Sequence, residues 1–132
     1  MFKDQHISII DDDESVRLAI NSLVRSLGLK TSMFDSAEAF MAAQMPCQTD
    51  CIVTDVQMPG LSGFDLLELL RRGDSRLPLI FVTAFPEEAL RRRALAQGAI
   101  CFLSKPFVAK DIIGCIGQAL ASPQPWIEQG RP

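Results

Sequence analysis

Short apolar runs alternate along the chain with longer segments in which apolar residues recur every three or four positions. The run His6–Ile10 reads HISII and predicts a first strand. Residues 14–27 follow with apolar side chains at helical spacing, and Gly28 predicts the end of that helix. Later strands are predicted at residues 29–34, 51–54, 77–83 and 100–103. One later helix is predicted to begin at Ser36, and the others are predicted at residues 64–70, 86–98 and 108–120.

The order of these elements predicts β/α units that repeat along the whole folded part. Alternation of strands with helices is typical of an α/β fold, in which a parallel sheet carries helices on both faces. The run LPLIFVT at residues 77–83 is continuously apolar, which suits a central strand that is buried on both faces. We therefore expect a three-layer α/β domain with right-handed crossovers.

Length and composition fit one domain with a hydrophobic core. The chain has 132 residues, of which 48% are hydrophobic. We assign residues 1–121 to the domain and interpret the proline-rich residues 122–132 as a linker or tail. The net charge of −3 argues against direct nucleic-acid contact by this domain. Neither a membrane span of ~20 apolar residues nor a signal sequence is present, so a cytoplasmic location without membrane contact is predicted.

The four cysteines are Cys47, Cys51, Cys101 and Cys115, and their spacings match no CxxC metal or redox motif. Cys101 and Cys115 lie in apolar runs, as small core residues do. Because cytoplasmic proteins keep their cysteines reduced, we expect all four to be structural thiols.

Polar residues follow four of the predicted strands at the point where each strand ends. In an open parallel sheet, ligands bind beyond the carboxyl ends of the strands, so these side chains are expected at one edge. Taken singly, each has a structural interpretation, such as an acidic helix N-terminus, a loop aspartate or an exposed lysine. Their shared edge favours a functional interpretation of Asp11, Asp12 and Asp13 after the first strand, Asp55 after the third, Thr83 after the fourth, and Ser104 and Lys105 after the fifth.

Carboxylates that lie together repel one another unless one takes a proton or a cation joins them. Hard oxygen ligands suit Mg²⁺, which accepts one or two carboxylates together with a phosphate oxygen. A carboxylate beside such a metal, with Lys105 opposite, can attack a phosphorus centre while metal and ammonium stabilise the charge. Thr83 can donate a hydrogen bond to a phosphoryl oxygen. The residues thus predict formation of an aspartyl phosphate that water later hydrolyses.

Two further features lie outside this set. His6 begins the first strand, at the opposite end of the sheet from the predicted site, and is interpreted as a surface or structural residue. Residues 91–93 are a run of three arginines on the fourth predicted helix. That run predicts a solvated helix face, with docking of a partner as the alternative.

Four segments resemble the receiver domains of two-component response regulators: IIDDDESVR, IVTDVQMPGLSGFDLL, LIFVTAF and CFLSKPF. The resemblance covers roughly residues 5–121, and all four segments occur in the family's order. DDDESVR and MPGLSG are similar to the FixJ-type subgroup, whose members often carry a C-terminal helix-turn-helix. The resemblance implies a flavodoxin-like (βα)5 sandwich with strand order 2-1-3-4-5, phosphorylation by a sensor histidine kinase, and control of transcription as the output.

The resemblance also implies a role for each matching residue. Asp55 matches the phospho-acceptor, and Thr83 and Phe102 match the residues that switch on phosphorylation. Lys105 matches the lysine that contacts the phosphoryl group, and its bond to Pro106 is expected to be cis. The implied Mg²⁺ ligands are Asp11, Asp12, Asp55 and the backbone carbonyl of Gln57. The expected activity is limited to the domain's own phosphorylation and dephosphorylation, with dimerisation through helix 4, strand 5 and helix 5 as a possible consequence.

Other classes fit these residues less well. A phosphohydrolase of the haloacid dehalogenase type needs a second aspartate two positions after the nucleophile, where this chain has Gln57. A flavodoxin would bind a flavin phosphate after the first strand, where three aspartates repel it. A GxxxxGK[ST] loop is absent, which argues against a nucleoside triphosphatase. The remaining alternative is a receiver-like interaction module that works without phosphorylation.

Overall fold

The fold is a five-stranded parallel sheet covered by helices on both faces. A computed structural model describes residues 5–121, so residues 122–132, where a linker or tail is predicted, lie outside the described part. The strands are β1 (His6–Ile10), β2 (Lys30–Phe34), β3 (Cys51–Asp55), β4 (Leu79–Thr83) and β5 (Cys101–Ser104), and the helices are α1 (Glu14–Arg25), α2 (Ala37–Ala42), α3 (Gly63–Arg72), α4 (Glu88–Ala96) and α5 (Ala109–Ala121).

The strand order is β2-β1-β3-β4-β5, with every neighbouring pair parallel. This order confirms the flavodoxin-like α/β fold that the resemblance implies. The register pairs Ile10 with Thr54 and Asp55 with Val82, so that β1, β3 and β4 end at nearly the same level. The chain adds β2 on one side of β1 and the later strands on the other side. Between β1 and β3 this change of side creates the crevice at which ligands bind in such sheets.

Alternating residues of each central strand fill two hydrophobic layers. On β4, Ile80 and Val82 belong to the layer beneath α1 and α5, whereas Leu79 and Phe81 belong to the layer beneath α2, α3 and α4. All four side chains are almost completely buried. The continuous apolar run at 77–83 is therefore explained by a strand that has helices on both faces, as the sequence predicted.

The start of α4 differs from the prediction, and one short helix was not predicted. Pro86 was predicted inside the first turn of α4, but the structure begins that helix at Glu88, after Glu87 as the N-cap residue. The exposed segment 84–87 instead links Thr83 to α4. A 3-10 helix at Met45–Cys47, which the periodicity did not predict, contains Pro46 near its start. Ser36 caps α2 as predicted, accepting a hydrogen bond from the backbone N–H of Ala39 at 3.0 Å.

Cys101 and Cys115 form a disulfide between β5 and α5, with their Cα atoms 6.2 Å apart. The prediction that these two residues are reduced thiols is therefore wrong. Both belong to the layer beneath α1 and α5, and the packing of α5 against the sheet brings them together. Cys51 is a free, buried thiol, as predicted, and burial raises its pKa to about 12, so it remains protonated and unreactive.

Reduction of the Cys101–Cys115 disulfide should destabilise the domain. A cross-link that closes a loop of about 15 residues stabilises a fold by about 3 kcal/mol, chiefly by restricting the unfolded chain. Urea denaturation with and without a reductant measures this difference. In the Cys101→Ser variant, reductant should cause no further loss. An unchanged wild-type midpoint, or alkylation of both thiols in unreduced protein, would contradict the expectation.

None of the helices among residues 5–121 is both long and apolar enough to span a membrane.

Candidate functional site

The three consecutive aspartates after β1 have three different environments. Asp11 is buried, and its Oδ1 accepts a hydrogen bond from the backbone N–H of Asp13 at 2.9 Å. Asp12 is exposed. Asp13 is the N-cap of α1, and its side chain accepts hydrogen bonds from the backbone N–H groups of Ser15 and Val16. The capping interpretation of an acidic turn therefore holds for Asp13, whereas Asp11 and Asp12 face the sheet edge.

Asp55 ends β3 beside this turn and is 7% exposed. Lys105, which follows β5, reaches across the edge of the sheet between two buried carboxylates. Its Nζ lies 2.9 Å from Oδ2 of Asp11 and 3.4 Å from Oδ2 of Asp55. The Lys105–Pro106 peptide bond is cis, which confirms the expectation from the resemblance. Three residues that are far apart in sequence thus form one charged centre.

Three carboxylate oxygens of this centre lie close enough together to share a metal ion. One oxygen each from Asp11, Asp12 and Asp55 lies within 4.8 Å of the other two. Oδ2 of Asp11 is buried, and among residues 5–121 it has no hydrogen-bond partner of suitable geometry besides its ion pair with Lys105. A buried oxygen with spare capacity, next to two more carboxylates, fits a hard divalent cation such as Mg²⁺.

The electrostatics of the centre reflect burial and like charge. Burial, and then the nearby charge of Asp11, raise the pKa of Asp55 above its usual range, although Lys105 opposes them. For Lys105, burial alone would lower the pKa, but its pairs with Asp11 and Asp55 outweigh burial and raise it. Lys105 therefore stays charged at neutral pH, whereas ionisation of Asp55 lowers the stability of the folded state.

Because ionised Asp55 lowers the stability of the fold, we expect Asp55→Asn to stabilise the protein in a pH-dependent way. Because its folded-state pKa is raised, Asp55 stabilises the fold most below its ordinary pKa of 3.8, and this contribution is lost as the pH rises through the folded-state pKa. At pH 7 with a chelator, Asp55→Asn should raise the melting temperature by a few degrees, and the gain should shrink toward pH 4.

Thermal denaturation of both proteins across this pH range provides the measurement. Asp111→Asn, on the exposed first turn of α5, removes the same charge outside the centre and serves as the matched control. A lower melting temperature for Asp55→Asn at pH 7 would show that the pair with Lys105 outweighs burial.

Thr83 lies at the end of β4 and is fully buried. Its Oγ1 accepts a hydrogen bond from the backbone N–H of Phe85 at 3.0 Å. Its carbonyl accepts one from the backbone N–H of Lys105 at 2.7 Å, and Ser104 is its partner in the β4–β5 register. Thr83 is therefore coupled both to the exposed segment before α4 and to the backbone that carries Lys105.

Phe102 and Gln57 are the remaining predicted residues. Phe102 lies on β5, partly buried, with its ring edge-on to Phe81 at a centroid distance of 6.2 Å. Gln57 is exposed in the loop two residues after Asp55. The roles of both residues stay predictions.

Two residues that sequence reasoning left out contact the backbone of this site. Arg17 donates a hydrogen bond from Nη1 to the carbonyl of Asp11 at 2.7 Å. Glu38 accepts one at Oε2 from the backbone N–H of Leu61 at 2.9 Å. Arg17 ends the segment DDDESVR, which was a usable signal, whereas nothing local in the sequence connects Glu38 to Leu61.

His6 lies apart from the site, as predicted, and two of the three arginines of the run 91–93 lie on a solvated face. His6 makes a 2.8 Å side-chain contact with Ser32 at the opposite end of β1. Arg91 and Arg92 are exposed and pair with Glu88 on their own helix, as a solvated face does. Arg93 lies over the ring of Phe64 at 4.1 Å from its centroid, a contact that the sequence did not predict.

Comparison with known proteins agrees with this geometry. The chain matches the response regulator receiver domain family over residues 7–116. It is 40% identical over 116 residues to the response regulator protein TmoT of Ectopseudomonas mendocina, covering 86% of this chain and 52% of that protein. It is 36% identical over 120 residues to the transcriptional regulatory protein FixJ of Bradyrhizobium diazoefficiens, covering 91% of this chain and 58% of that protein.

Solved structures show the same architecture. The response regulator StyR superposes with a TM-score of 0.85 at 36% identity, over 97% of this chain and 64% of that one. The structure of FixJ-N superposes with a TM-score of 0.81 at 32% identity, over 92% of this chain and 97% of that one.

The chain belongs to the receiver domains of response regulators, the signalling domains of two-component systems. Within that family, its relatives identify it as a FixJ-type receiver domain. The chain spans about half the length of the curated relatives it matches.

Proposed function

We propose that this domain accepts a phosphoryl group from a sensor histidine kinase onto Asp55 in a Mg²⁺-dependent reaction. The observation that carries the proposal is the position of Lys105, whose Nζ lies between buried oxygens of Asp11 and Asp55 beside a three-carboxylate cluster. An acceptor, a metal site and a cation together are what phosphoryl transfer to a carboxylate needs.

In this reaction an oxygen of Asp55 attacks phosphorus, and the bond from phosphorus to the donor breaks. Asp11, Asp12, Asp55 and the carbonyl of Gln57 would hold Mg²⁺, which supplies neutralisation of the charge on the phosphoryl oxygens. Lys105 contributes a fixed ammonium beside the acceptor, where the low exposure of Asp55 strengthens its effect. The product is an aspartyl phosphate, which water hydrolyses later, so the domain catalyses only its own phosphorylation and dephosphorylation.

Phosphorylation would act through a two-state switch. A phosphoryl group adds a charge of about −1.5 to −2 and three acceptor oxygens at Asp55. The hydroxyl of Thr83 would move toward the phosphoryl group and donate a hydrogen bond to one of these oxygens. This movement would break the hydrogen bond that Thr83 Oγ1 accepts from the backbone N–H of Phe85. Phe102, now partly buried, would turn inward. The face formed by α4, β5 and α5 would then change shape.

The changed face would control an output, which we propose to be transcription. FixJ of Bradyrhizobium diazoefficiens is a transcriptional regulatory protein, and the matched segment covers 58% of its length. We assign residues 1–121 to the receiver domain and 122–132 to a linker or tail, with a DNA-binding effector domain as the partner beyond it. Self-association on phosphorylation and a cytoplasmic location belong to the same proposal, as does the absence of membrane or direct nucleic-acid contact by this domain.

Beryllofluoride, which mimics a phosphoryl group, tests the switch in solution. With Mg²⁺ present, it should shift the amide NMR signals of Thr83 and Lys105 and those of α4, β5 and α5. Omission of Mg²⁺ should remove these shifts. A folded sample in which neither the site nor the α4–β5–α5 face responds would instead indicate an interaction module that works without phosphorylation.

A further inference from the structure

The loop between β3 and α3, residues 56–62, carries Gln57 and is held at three points. At its end, the backbone N–H of Gly63 donates to the carbonyl of Val56 at 2.8 Å. Ser62 and Asp65 form a capping box that fixes the start of α3. In its middle, the loop is attached to a different element, because Glu38 of α2 accepts the hydrogen bond from the backbone N–H of Leu61.

Glu38 is an exposed side chain on a part of α2 whose backbone is held in place. It lies in the first turn of α2, whose N-terminus is capped by Ser36, and its neighbours Ala37 and Phe40 are completely buried. The carboxylate also fills the space beside Gly60, where any Cβ would overlap Oε2 of Glu38. Gly60 has a φ of +79°, a conformation that favours glycine. The loop and the carboxylate therefore fit each other at two consecutive residues.

The direction of a backbone carbonyl depends on what holds the chain on either side of it. Gln57 has Asp55, which is paired within the sheet, on one side and the segment anchored by Glu38 on the other. No side-chain rotamer can correct a carbonyl that points the wrong way. Groups that hydrogen-bond directly to a metal ligand typically change metal affinity 10- to 100-fold when they are lost. Glu38 acts on Gln57 only through the backbone of Leu61, so its effect should lie at the low end of that range.

We propose that Glu38 is a positioning residue for the Mg²⁺ site, which it supports by holding loop 56–62 so that the carbonyl of Gln57 faces the three carboxylates. This inference rests on the proposed function. In this role Glu38 acts by accepting the hydrogen bond from Leu61, and its negative charge is not needed.

Amide hydrogen exchange of Leu61 and the Mg²⁺ affinity, measured by NMR titration, test the proposal on the whole chain. Glu38→Ala should accelerate exchange at Leu61 and weaken Mg²⁺ binding about 10-fold. Glu38→Gln keeps an acceptor without the charge and should restore most of the affinity. Glu68→Ala is the matched control, because Glu68 is an exposed carboxylate on α3 that pairs with Arg72 outside the loop.

A second variant tests the same contact without removing the anchor. Gly60→Ala should weaken Mg²⁺ binding in the wild-type background, where the new methyl group meets Glu38. It should weaken binding less in the Glu38→Ala background, where that space is free, and the difference measures the coupling of the two residues.

The outcomes separate this inference from the proposed function. If Glu38→Ala accelerates exchange at Leu61 but leaves Mg²⁺ affinity unchanged, the contact is merely structural and the inference fails, while the proposed function stands. Equal weakening by Glu38→Gln and Glu38→Ala would assign the effect to charge and would also overturn it. Absence of Mg²⁺ binding by the wild-type chain would overturn the proposed function and the inference together.

Discussion

Replacement of Asp55 by asparagine should abolish covalent labelling by acetyl phosphate. An amide has no anionic oxygen with which to attack phosphorus, so the loss should reach the background of the assay. The variant should nevertheless fold, because burial and the charge of Asp11 both disfavour the ionised carboxylate that asparagine replaces, and both raise the pKa of Asp55. Loss of labelling in a protein of equal or higher melting temperature therefore identifies a chemical role.

Asp111→Asn provides the comparison, since it removes one carboxylate from an exposed position on α5. This control should be labelled at the wild-type rate. Persistent labelling of Asp55→Asn would place the acceptor elsewhere, with Asp11 and Asp12 as the next residues to substitute.

The second large effect is expected at Lys105. Lys105→Met keeps the length of the side chain but removes the ammonium that lies 2.9 Å from Asp11 and 3.4 Å from Asp55. Loss of a single preorganised group that stabilises a transition state typically costs about 100-fold in rate. We therefore expect phosphorylation by acetyl phosphate to slow by about that factor at saturating Mg²⁺.

Mg²⁺ affinity distinguishes this effect from loss of the metal site. Lys105→Met removes a positive charge beside the carboxylates, so Mg²⁺ should bind at least as tightly as in the wild type. Lys110→Met, at an exposed position of α5, should change neither the rate nor the affinity. If Lys105→Met were phosphorylated at the wild-type rate, Lys105 would have no role in the reaction.

The order of the elements was predictable because burial on both faces leaves a strong local signal. The run at 77–83 is apolar at every position except its Pro78 and its last residue, and it forms β4 from Leu79 onward. The gathering of Asp11, Asp55 and Lys105 followed from a general property of parallel sheets, whose carboxyl ends share one edge. Neither inference needed knowledge of side-chain contacts.

The errors and omissions concern two contacts between different elements and one helix boundary. The disulfide joins residues 14 positions apart in a strand and a helix, and it depends on which face of α5 meets β5. Glu38 contacts Leu61 across 23 positions, through the side chain of one element and the backbone of another. The periodicity of hydrophobic residues does not reveal either of these contacts. The start of α4 at Glu88, two residues after Pro86, was also not predicted by the pattern of apolar residues.

The most direct test of the central claim is the intact mass of the wild-type chain after incubation with acetyl phosphate, followed by peptide mapping. With Mg²⁺ we expect the addition of one phosphoryl group, located on the peptide that contains Asp55, and no addition when a chelator replaces Mg²⁺. A folded chain that stays unmodified in the presence of Mg²⁺, or that is modified on another peptide, would contradict the assignment of Asp55 as the phospho-acceptor.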